Sequence, residues 1–281
     1  MSDDSLRLIP ASSVSVEEFA GAFTAGFSGY AHPVVLDATR LSRRMRQDHY
    51  ALEHSIVAYE GGRAVGVAVL AVRREEGWVP GLGVIPERRG RGLGRRLMAE
   101  LLARARGCGV RRLRLEVLAR NATARRIYEE LGMRVVRDLL LLERGAAPPA
   151  AAAAPRAAPR LKEADPVELL AHFQRLHAAR PQWSRDLPAL LVRGGMRGLH
   201  LGDRARPSAY ALLTEGTDGF TYLSDLAASD ASRARRLCAA LACFEVPLKV
   251  INEPERGLFT APLVEHGFRE VERQNEMVVE L

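Results

Sequence analysis

The stretch Arg89-Gly90-Arg91-Gly92-Leu93-Gly94 decides the fold of this 281-residue chain, because a predicted strand precedes it and a predicted helix follows it. The strand covers residues 78–86, where Pro80-Gly81 interrupts an apolar run. The helix has an apolar residue at every fourth position from Leu93 to Ala105, which gives one apolar stripe. The sequence therefore predicts a strand, a glycine turn and an amphipathic helix in succession.

This turn has the properties of an anion-binding site. Glycines let backbone N–H groups approach an anion closely, and a helix N-terminus adds about half a positive charge. Four arginines crowd the same turn: Arg89, Arg91, Arg95 and Arg96. The turn lacks the Gly-Lys-Ser/Thr ending of a P-loop. It also comes too late in the chain for the first strand of a dinucleotide-binding unit. We therefore expect a different phosphate-bearing ligand.

The excess positive charge lies in the half that contains the turn. Residues 1–145 contain 24 arginines and 17 acidic residues, a net charge of +7, whereas residues 146–281 carry 17 residues of each sign. A basic half suits a ligand with a pyrophosphate. Nucleic-acid binding is the alternative for a basic chain. The arginines are not interleaved with aromatic residues, so we expect no nucleic-acid partner.

Cysteine usage and hydropathy predict a cytoplasmic protein without a metal. Cys108, Cys238 and Cys243 lack the spacing of a metal site and are expected to be free thiols. The sequence contains no run of about eighteen apolar residues, so we expect no membrane span. Met1–Asp4 is polar and acidic, unlike a secretory signal. The oligomeric state is left open.

Periodicity and turn residues predict alternating strands and helices in the first half. Gly61-Gly62 indicates a hairpin between two strands, and Ser13 or Ser15 is expected to cap the first helix. The predicted elements, in order, cover residues 6–9, a helix after Ser15, 38–50, 55–60, 64–72, 78–86, 93–105, 113–117, 121–131 and 134–142.

The second half follows an alanine- and proline-rich segment and repeats the same order in weakened form. Prolines break helices, so residues 146–159 are predicted to be an extended linker. A hairpin around residues 216–219, a helix over 233–243 and a strand over 247–251 follow. Aligning the halves pairs these residues: Asp230, Ser232 and Ala234 with Gly90, Gly92 and Gly94, and Leu263 with Tyr128. An unrelated α+β domain remains the alternative.

Motifs spread over residues 82–133 resemble the GNAT family of N-acetyltransferases. Arg89, Gly92 and Gly94 match its acetyl-CoA loop, Arg/Gln-x-x-Gly-x-Gly/Ala. Residues 121–133 resemble its Asn-x-x-Ala-x-x-x-Tyr-x-x-x-Gly-Phe helix. The resemblance implies an α/β (α+β) fold of two tandem GNAT-like domains, each a mixed, mostly antiparallel sheet flanked by helices. The implied boundaries are an acetyl-CoA-binding GNAT domain at 1–145, a linker at 146–159 and a degenerate GNAT-like domain at 160–281.

The resemblance implies acetyl-CoA as co-substrate. The Pro80-Gly81 bulge would splay the fourth strand from the fifth, so that the pantetheine arm inserts between them. By resemblance, a backbone N–H of residues 82–84 meets the developing oxyanion. The implied cofactor-binding residues are Leu82, Gly83, Val84, Arg89, Gly90, Arg91, Gly92, Leu93, Gly94, Arg95 and Asn121.

Two residues are predicted to carry proton transfer. By resemblance, Tyr128 returns a proton to the leaving thiolate; its alternative role is packing on the sheet. Glu116 resembles the base of ribosomal-protein alanine N-acetyltransferases, and its alternative role is a salt bridge. Trp78 stands where relatives place a glutamate, and it cannot accept a proton. A water chain could also replace a side-chain base.

The predicted function is transfer of acetyl from acetyl-CoA to a primary amine of a small molecule or peptide N-terminus. The alternative is a non-catalytic acyl-CoA-binding or regulatory module. The variable region that would contact the amine contains Tyr30, His32, Pro33, His49 and Tyr50, each of which can equally serve packing. The second half, which lacks the chemical residues, is expected to shape the amine pocket.

Overall fold

The computed structural model describes residues 5–30, 34–146 and 159–281. The predicted linker lies almost entirely outside these residues, as do His32 and Pro33. The chain forms two compact units: one comprises Met1–Val136 with Glu276–Leu281, and the other comprises Arg137–Asn275. Mixed strands and helices in both units, in GNAT order, confirm the predicted fold class of two tandem GNAT-like domains.

The predicted elements of the first half are present. In order they are β1 (Arg7–Pro10), α1 (Val16–Gly26), α2 (Ala38–Asp48), β2 (Ile56–Glu60), β3 (Arg63–Arg73), β4 (Glu76–Val84), α3 (Leu93–Gly107), β5 (Arg112–Leu118), α4 (Ala122–Glu130) and β6 (Arg134–Arg144). Side-chain caps fix three helix starts, because Ser15, Asp37 and Asn121 each accept a hydrogen bond from a first-turn N–H.

In the first unit, strands β1 to β5 are neighbours in sequence order, and the last residues of β12 follow β5. The pairs are antiparallel except β4–β5, which is parallel. Phe19, Phe23 and Leu41 from α1 and α2 pack on one face of this sheet. On the other face, the helices α3 and α4 pack against alternate residues of β5 such as Leu113 and Leu115. The sheet therefore separates two helical layers.

The second unit repeats this order. Its elements are β7 (Lys162–Ala164), α5 (Pro166–Leu170), α6 (Phe173–Leu176), α7 (Leu187–Val192), β8 (Met196–Gly202), β9 (Pro207–Glu215), β10 (Thr221–Ala228), α8 (Ala231–Leu241), β11 (Leu248–Pro254), α9 (Thr260–Glu265) and β12 (Arg269–Glu280). The β10–β11 pair is parallel, like β4–β5, and β7, β8, β9 and β10 pair antiparallel in that order.

The two units differ from the predicted ranges 1–145 and 160–281 at two strands. Most of β6 belongs to the second unit, because its residues 139–144 pair with β11. The end of β12 belongs to the first unit, where the Leu281 N–H donates to the Arg111 carbonyl at 2.7 Å. Pairing between strands that are distant in sequence leaves no local signal. The sequence pattern therefore predicts β6 and β12 but not the strands with which they pair.

Candidate active site

Strands β4 and β5 separate after a short paired segment. Their parallel register covers Glu76–Trp78 and ends at the pair Trp78↔Arg114. On the other side, the β3 register shifts between Val69 and Ala71, so that residues 79 and 80 form a bulge. The bulge therefore lies at Val79 and Pro80, one residue earlier than the predicted Pro80-Gly81, because Gly81 pairs with Val69. Beyond it, β4 remains paired with β3, whereas its other edge faces the opening between β4 and β5.

The register shows which backbone groups face this opening. The Ile85 N–H donates to the Val65 carbonyl, and in an antiparallel pair the bonded positions alternate. Gly83 is therefore bonded toward β3, whereas the N–H groups of Leu82 and Val84 point into the opening. The opening thus presents unpaired backbone donors along one wall.

Glycines on β4 let helix α1 approach the strand. A Cβ on Gly83 would lie 2.9 Å from the Gly26 carbonyl carbon, and one on Gly81 would lie 2.7 Å from Phe23. Phe23 stacks on Phe27 with ring centroids 4.8 Å apart. Gly81 and Gly83 are therefore required for packing beside the opening, a role that the sequence pattern alone did not indicate.

The glycine turn leaves the start of α3 uncapped. Gly90 and Gly92 have φ of 73° and 78°, which is the left-handed region that favours glycine. Gly92 is the N-cap residue and has no side chain to accept from the first turn. The first intrahelical bond runs from the Arg96 N–H to the Gly92 carbonyl, so the earlier N–H groups have no helical acceptor. A Cβ on either glycine would meet no atom within 4 Å, which leaves the turn open to a ligand.

The arginines of this turn have different partners. Arg89, although exposed, donates to the carbonyls of Val84 at 2.9 Å, Gly26 at 3.3 Å and Ser28 at 2.5 Å. Arg95 pairs with Glu130 at 2.7 Å.

A cavity of about 220 Å³ adjoins the start of α3. It is lined by Arg91 and Arg96, two of the four exposed arginines of the turn, together with Leu6, Glu60, Val65, Arg88, Gly92 and Leu93. Within the described ranges, Arg91 and Arg96 have no ion-pair partner, whereas Arg88 pairs with Glu60. The positive charge available to an anion at this turn therefore comes mainly from Arg91 and Arg96.

Glu116 lies where the opening begins, on the α1 face of the sheet. Its neighbours Leu115 and Val117 point into the α3–α4 core, so the Glu116 side chain points to the other face. The Trp78 Nε1–H donates to its Oε2 at 2.8 Å. Arg114, two residues before it, donates to Glu76 at 2.6 Å. The predicted base is therefore a partly buried carboxylate held by an indole.

Tyr128 lies on the opposite face of the sheet. It belongs to the core between α3 and α4 and is 8% exposed. Burial, and secondarily the nearby Tyr30 hydroxyl, raise the pKa of the Tyr128 phenol well above its usual value. The phenol therefore stays protonated at neutral pH. Glu116 and Tyr128 thus lie on opposite faces of the sheet.

Asn121 has a structural contact at each end of its side-chain amide. Its Oδ1 accepts from the Ala124 N–H at 3.1 Å as the N-cap of α4, and its Nδ2 donates to the Tyr30 hydroxyl at 3.3 Å. Tyr30 thus reaches the site, whereas His49 and Tyr50 lie beyond the end of α2. His49 accepts a hydrogen bond from Arg73 there. Of the proposed amine-contacting residues that the structure describes, only Tyr30 is brought to Asn121 and Tyr128.

In the second unit, two parallel strands also separate after a short paired segment, but the open glycine turn is missing. The β10–β11 register ends at Tyr222↔Lys249, and β10 is irregular between Leu223 and Asp225. Helix α8 begins after Asp230, whose carboxylate accepts from the Arg233 N–H at 2.8 Å. Asp230 is therefore the counterpart of Gly92, two residues from the predicted correspondence with Gly90. The acidic cap occupies the first turn of α8.

Polar side chains fill the interior near the second opening. Arg185 donates to the Asn252 carbonyl at 3.2 Å and to Glu253 at 2.8 Å. Asp225, fully buried, accepts from Tyr210 at 2.9 Å and contacts His177 at 3.2 Å. Leu263, the counterpart of Tyr128, is fully buried and has no proton to donate. This unit carries none of the acid–base residues predicted for the first.

No cluster of three metal-ligating side chains occurs among the residues that the structure describes. In the same part of the chain, no helix is long and apolar enough to cross a membrane.

Comparison with known proteins agrees with the geometry. Residues 21–133 match the model of the acetyltransferase (GNAT) family. The segment 21–133, which lies within the first unit, therefore carries a GNAT-family domain, as its motifs predict. The chain is 37% identical over 59 residues to an uncharacterized N-acetyltransferase of Bacillus subtilis, YycN, a match that covers 21% of this chain and only 38% of that protein.

Solved structures share the whole tandem architecture. A tandem GNAT protein from the clavulanic acid biosynthesis pathway is 18% identical, with a TM-score of 0.70 and 98% of both chains covered. A GCN5-related N-acetyltransferase from Sphaerobacter thermophilus is 15% identical, with a TM-score of 0.71, covering 98% of this chain and 95% of that one. At these identities the likeness establishes the fold alone.

Proposed function

We propose that the first unit transfers an acetyl group from acetyl-CoA to a primary amine, carried by a small molecule or a peptide N-terminus. One observation carries this proposal: Glu116 lies where β4 and β5 separate, Tyr128 lies in the core on the opposite face of the sheet, and the helix that follows β4 has an uncapped start. Acyl transfer needs a base for the amine and an acid for the thiolate, and this arrangement supplies a candidate for each.

The diphosphate of acetyl-CoA is assigned to the glycine turn. The N–H groups of Leu93, Gly94 and Arg95 have no helical acceptor, and the left-handed Gly90 and Gly92 expose the turn backbone. Arg91 and Arg96 add charge, whereas Arg95 must leave Glu130 to contribute. Since the Arg89 side chain is engaged by three carbonyls, we assign it to holding the turn against the end of α1.

The opening is assigned to the pantetheine arm and the thioester. The N–H groups of Leu82 and Val84 face it and can meet charge that develops on the carbonyl oxygen. Gly83, bonded toward β3, serves the close approach of α1 instead. Asn121 supports the start of α4 and the position of Tyr30.

The proposed acetyl transfer uses one side chain from each face of the sheet. The neutral amine nitrogen bonds to the carbonyl carbon, and Glu116 accepts the proton that this nitrogen loses. As the carbon–sulfur bond breaks, the sulfur keeps the electron pair and takes a proton from Tyr128. The products are the amide and free coenzyme A, and solvent restores both side chains. The raised pKa of Tyr128 keeps the phenol protonated at neutral pH, which is the form that a general acid requires.

The second unit is proposed to be non-catalytic. Asp230 places a negative charge where a diphosphate would lie, and Leu263 replaces the phenol. We also propose a reducing, cytoplasmic location, because Cys108, Cys238 and Cys243 are all free thiols.

A turnover screen tests the proposed function. The full chain is incubated with acetyl-CoA and, separately, spermidine, kanamycin, free amino acids and a peptide with an unblocked N-terminal alanine. Free coenzyme A is measured with a thiol-reactive dye, and amide formation by mass spectrometry. The proposal expects amide formation with at least one amine class. Tight acetyl-CoA binding without turnover of any amine would instead support an acyl-CoA-binding module.

A further inference from the structure

Trp78 lies at the point where β4 and β5 separate. It is the last residue of the parallel register, and the bulge begins immediately after it. Glu116 lies two residues beyond Arg114, the partner of Trp78, and therefore on the same face of β5. The indole extends from the last paired residues of β4 and β5 to Glu116, the first side chain on this face of β5 after the pairing ends. The Nε1–Oε2 distance is 2.8 Å.

We propose that Trp78 is a positioning residue for acetyl transfer, which orients the Glu116 carboxylate and stabilises its ionised form. The inference rests on the proposed function of Glu116 as base. An indole N–H is a donor only, so it cannot take up the proton that Glu116 must accept. A hydrogen bond to a carboxylate is charge-assisted and favours the ionised form. The indole is 7% exposed, which restricts its movement.

Arg114, on the same face of β5 as Glu116, has carboxylate partners of its own. It lies between Glu76 at 2.6 Å and Glu276 of β12 at 3.9 Å. Arg120 follows β5 in the next turn, and Tyr30 accepts from Asn121 at the start of α4. Any effect of these groups on Glu116 persists when the indole N–H is removed, so a substitution of Trp78 isolates its contribution.

The substitution Trp78→Phe retains an aromatic ring and removes the N–H. The full chain is labelled with glutamate carrying ¹³C in its side-chain carboxyl, and the carboxyl resonances are titrated by NMR. Glu116→Gln identifies the resonance of Glu116. We expect Trp78→Phe to move its titration midpoint to higher pH by about one unit, the effect of losing one charge-assisted hydrogen bond. Trp183→Phe, the same change at the buried tryptophan of the second unit, is the matched control and should leave the midpoint in place.

A midpoint that coincides in wild type and Trp78→Phe, or that moves equally in Trp183→Phe, overturns the proposal. If Trp78→Phe does not fold, benzothienylalanine at position 78 replaces the indole N–H by sulfur at nearly constant shape and gives the same test. The NMR titration needs no acceptor amine, so its outcome is separate from that of the turnover screen.

The pH dependence of turnover gives the second measurement. With whichever amine of the screen is acetylated, Trp78→Phe should move the acidic limb of kcat/KM to higher pH and leave the KM for acetyl-CoA within about twofold. In the Glu116→Gln background, Trp78→Phe should cause no further change. If the acidic limb of the kcat/KM profile is unchanged in Trp78→Phe but absent in Glu116→Gln, the inference about Trp78 is wrong. Glu116 would then still be the base.

Discussion

Asp230 closes the start of α8 with its own carboxylate, at the N-cap position that Gly92 leaves open at the start of α3. The two units therefore differ at the residue that decides whether an anion can reach the helix N-terminus. An N-cap carboxylate satisfies a first-turn N–H and opposes a second negative group nearby. The same fold thus carries one site suited to a diphosphate and one that excludes it.

The glycine turn predicts a single acetyl-CoA site per chain. Gly92→Asp should weaken acetyl-CoA binding by at least about a hundredfold, because a carboxylate then caps α3 and the left-handed φ of 78° is strained. Gly94→Ala is the matched control, since a Cβ there lies 3.9 Å from its nearest neighbours and should leave affinity within about threefold. Isothermal titration calorimetry measures both. Two equivalent sites in the wild type would contradict the assignment.

Tyr128→Phe should retain acetyl-CoA affinity and lower kcat by about a hundredfold or more, because only the proton donor is removed. Packing is preserved, since the ring stays in the core. Steady-state kinetics with the acetylated amine measure the change. A kcat equal to that of the wild type across the pH range would assign Tyr128 to packing.

Glu116→Gln should lower kcat/KM most at low pH, where the amine is largely protonated and requires a base. The amide retains the shape of the side chain beside Trp78, so thermal unfolding should change little. A rate profile over pH 6–9 provides the measurement. If the mutant keeps the profile of the wild type, a water chain carries the proton instead.

His177 predicts a pH-dependent stability of the second unit. Burial would lower its pKa, but the hydrogen bond and charge of Asp225, together with the Phe173 carbonyl, outweigh burial and raise it. Both ring nitrogens face acceptors, at 3.0 Å and 3.2 Å, an arrangement that favours the charged form.

A raised histidine pKa contributes stability that is fully present below the unfolded value of about 6.5 and is lost as pH rises through the folded value. His177→Gln should cost about 1–3 kcal/mol of unfolding free energy at pH 6, because Asp225 then lacks its charged partner. Urea unfolding at pH 6 and pH 9 measures this, and the difference between the proteins should shrink at pH 9. A constant difference would show that the ion pair contributes nothing.

Much of this fold follows from local sequence patterns. The stripe from Leu93 to Ala105, the hairpin at Gly61-Gly62 and the bulge after Trp78 each have a short-range signal, and each is present. Contacts between distant segments have no such signal. Three features depend on which surfaces meet in three dimensions. They are the hydrogen bond from Trp78 to Glu116, the contacts of the Arg89 side chain with the end of α1, and the unit to which most of β6 and the end of β12 belong. The sequence alignment of the two halves pairs Asp230 with Gly90, whereas the helix starts pair it with Gly92. Weak repeats align ambiguously when no helix start fixes their register.

The position of the end of β12 in the first unit has a consequence for biosynthesis. Met277 and Val279 complete the core that contains Tyr128, although they follow the whole second unit in the chain. A nascent chain released up to residue 145 therefore lacks an edge of the first unit's sheet. Domains ordinarily fold one after another as they leave the ribosome. Here the core of the first unit is complete only after the second unit has been translated, so termination between residues 145 and 276 should produce a first unit with an unfinished core rather than a stable half.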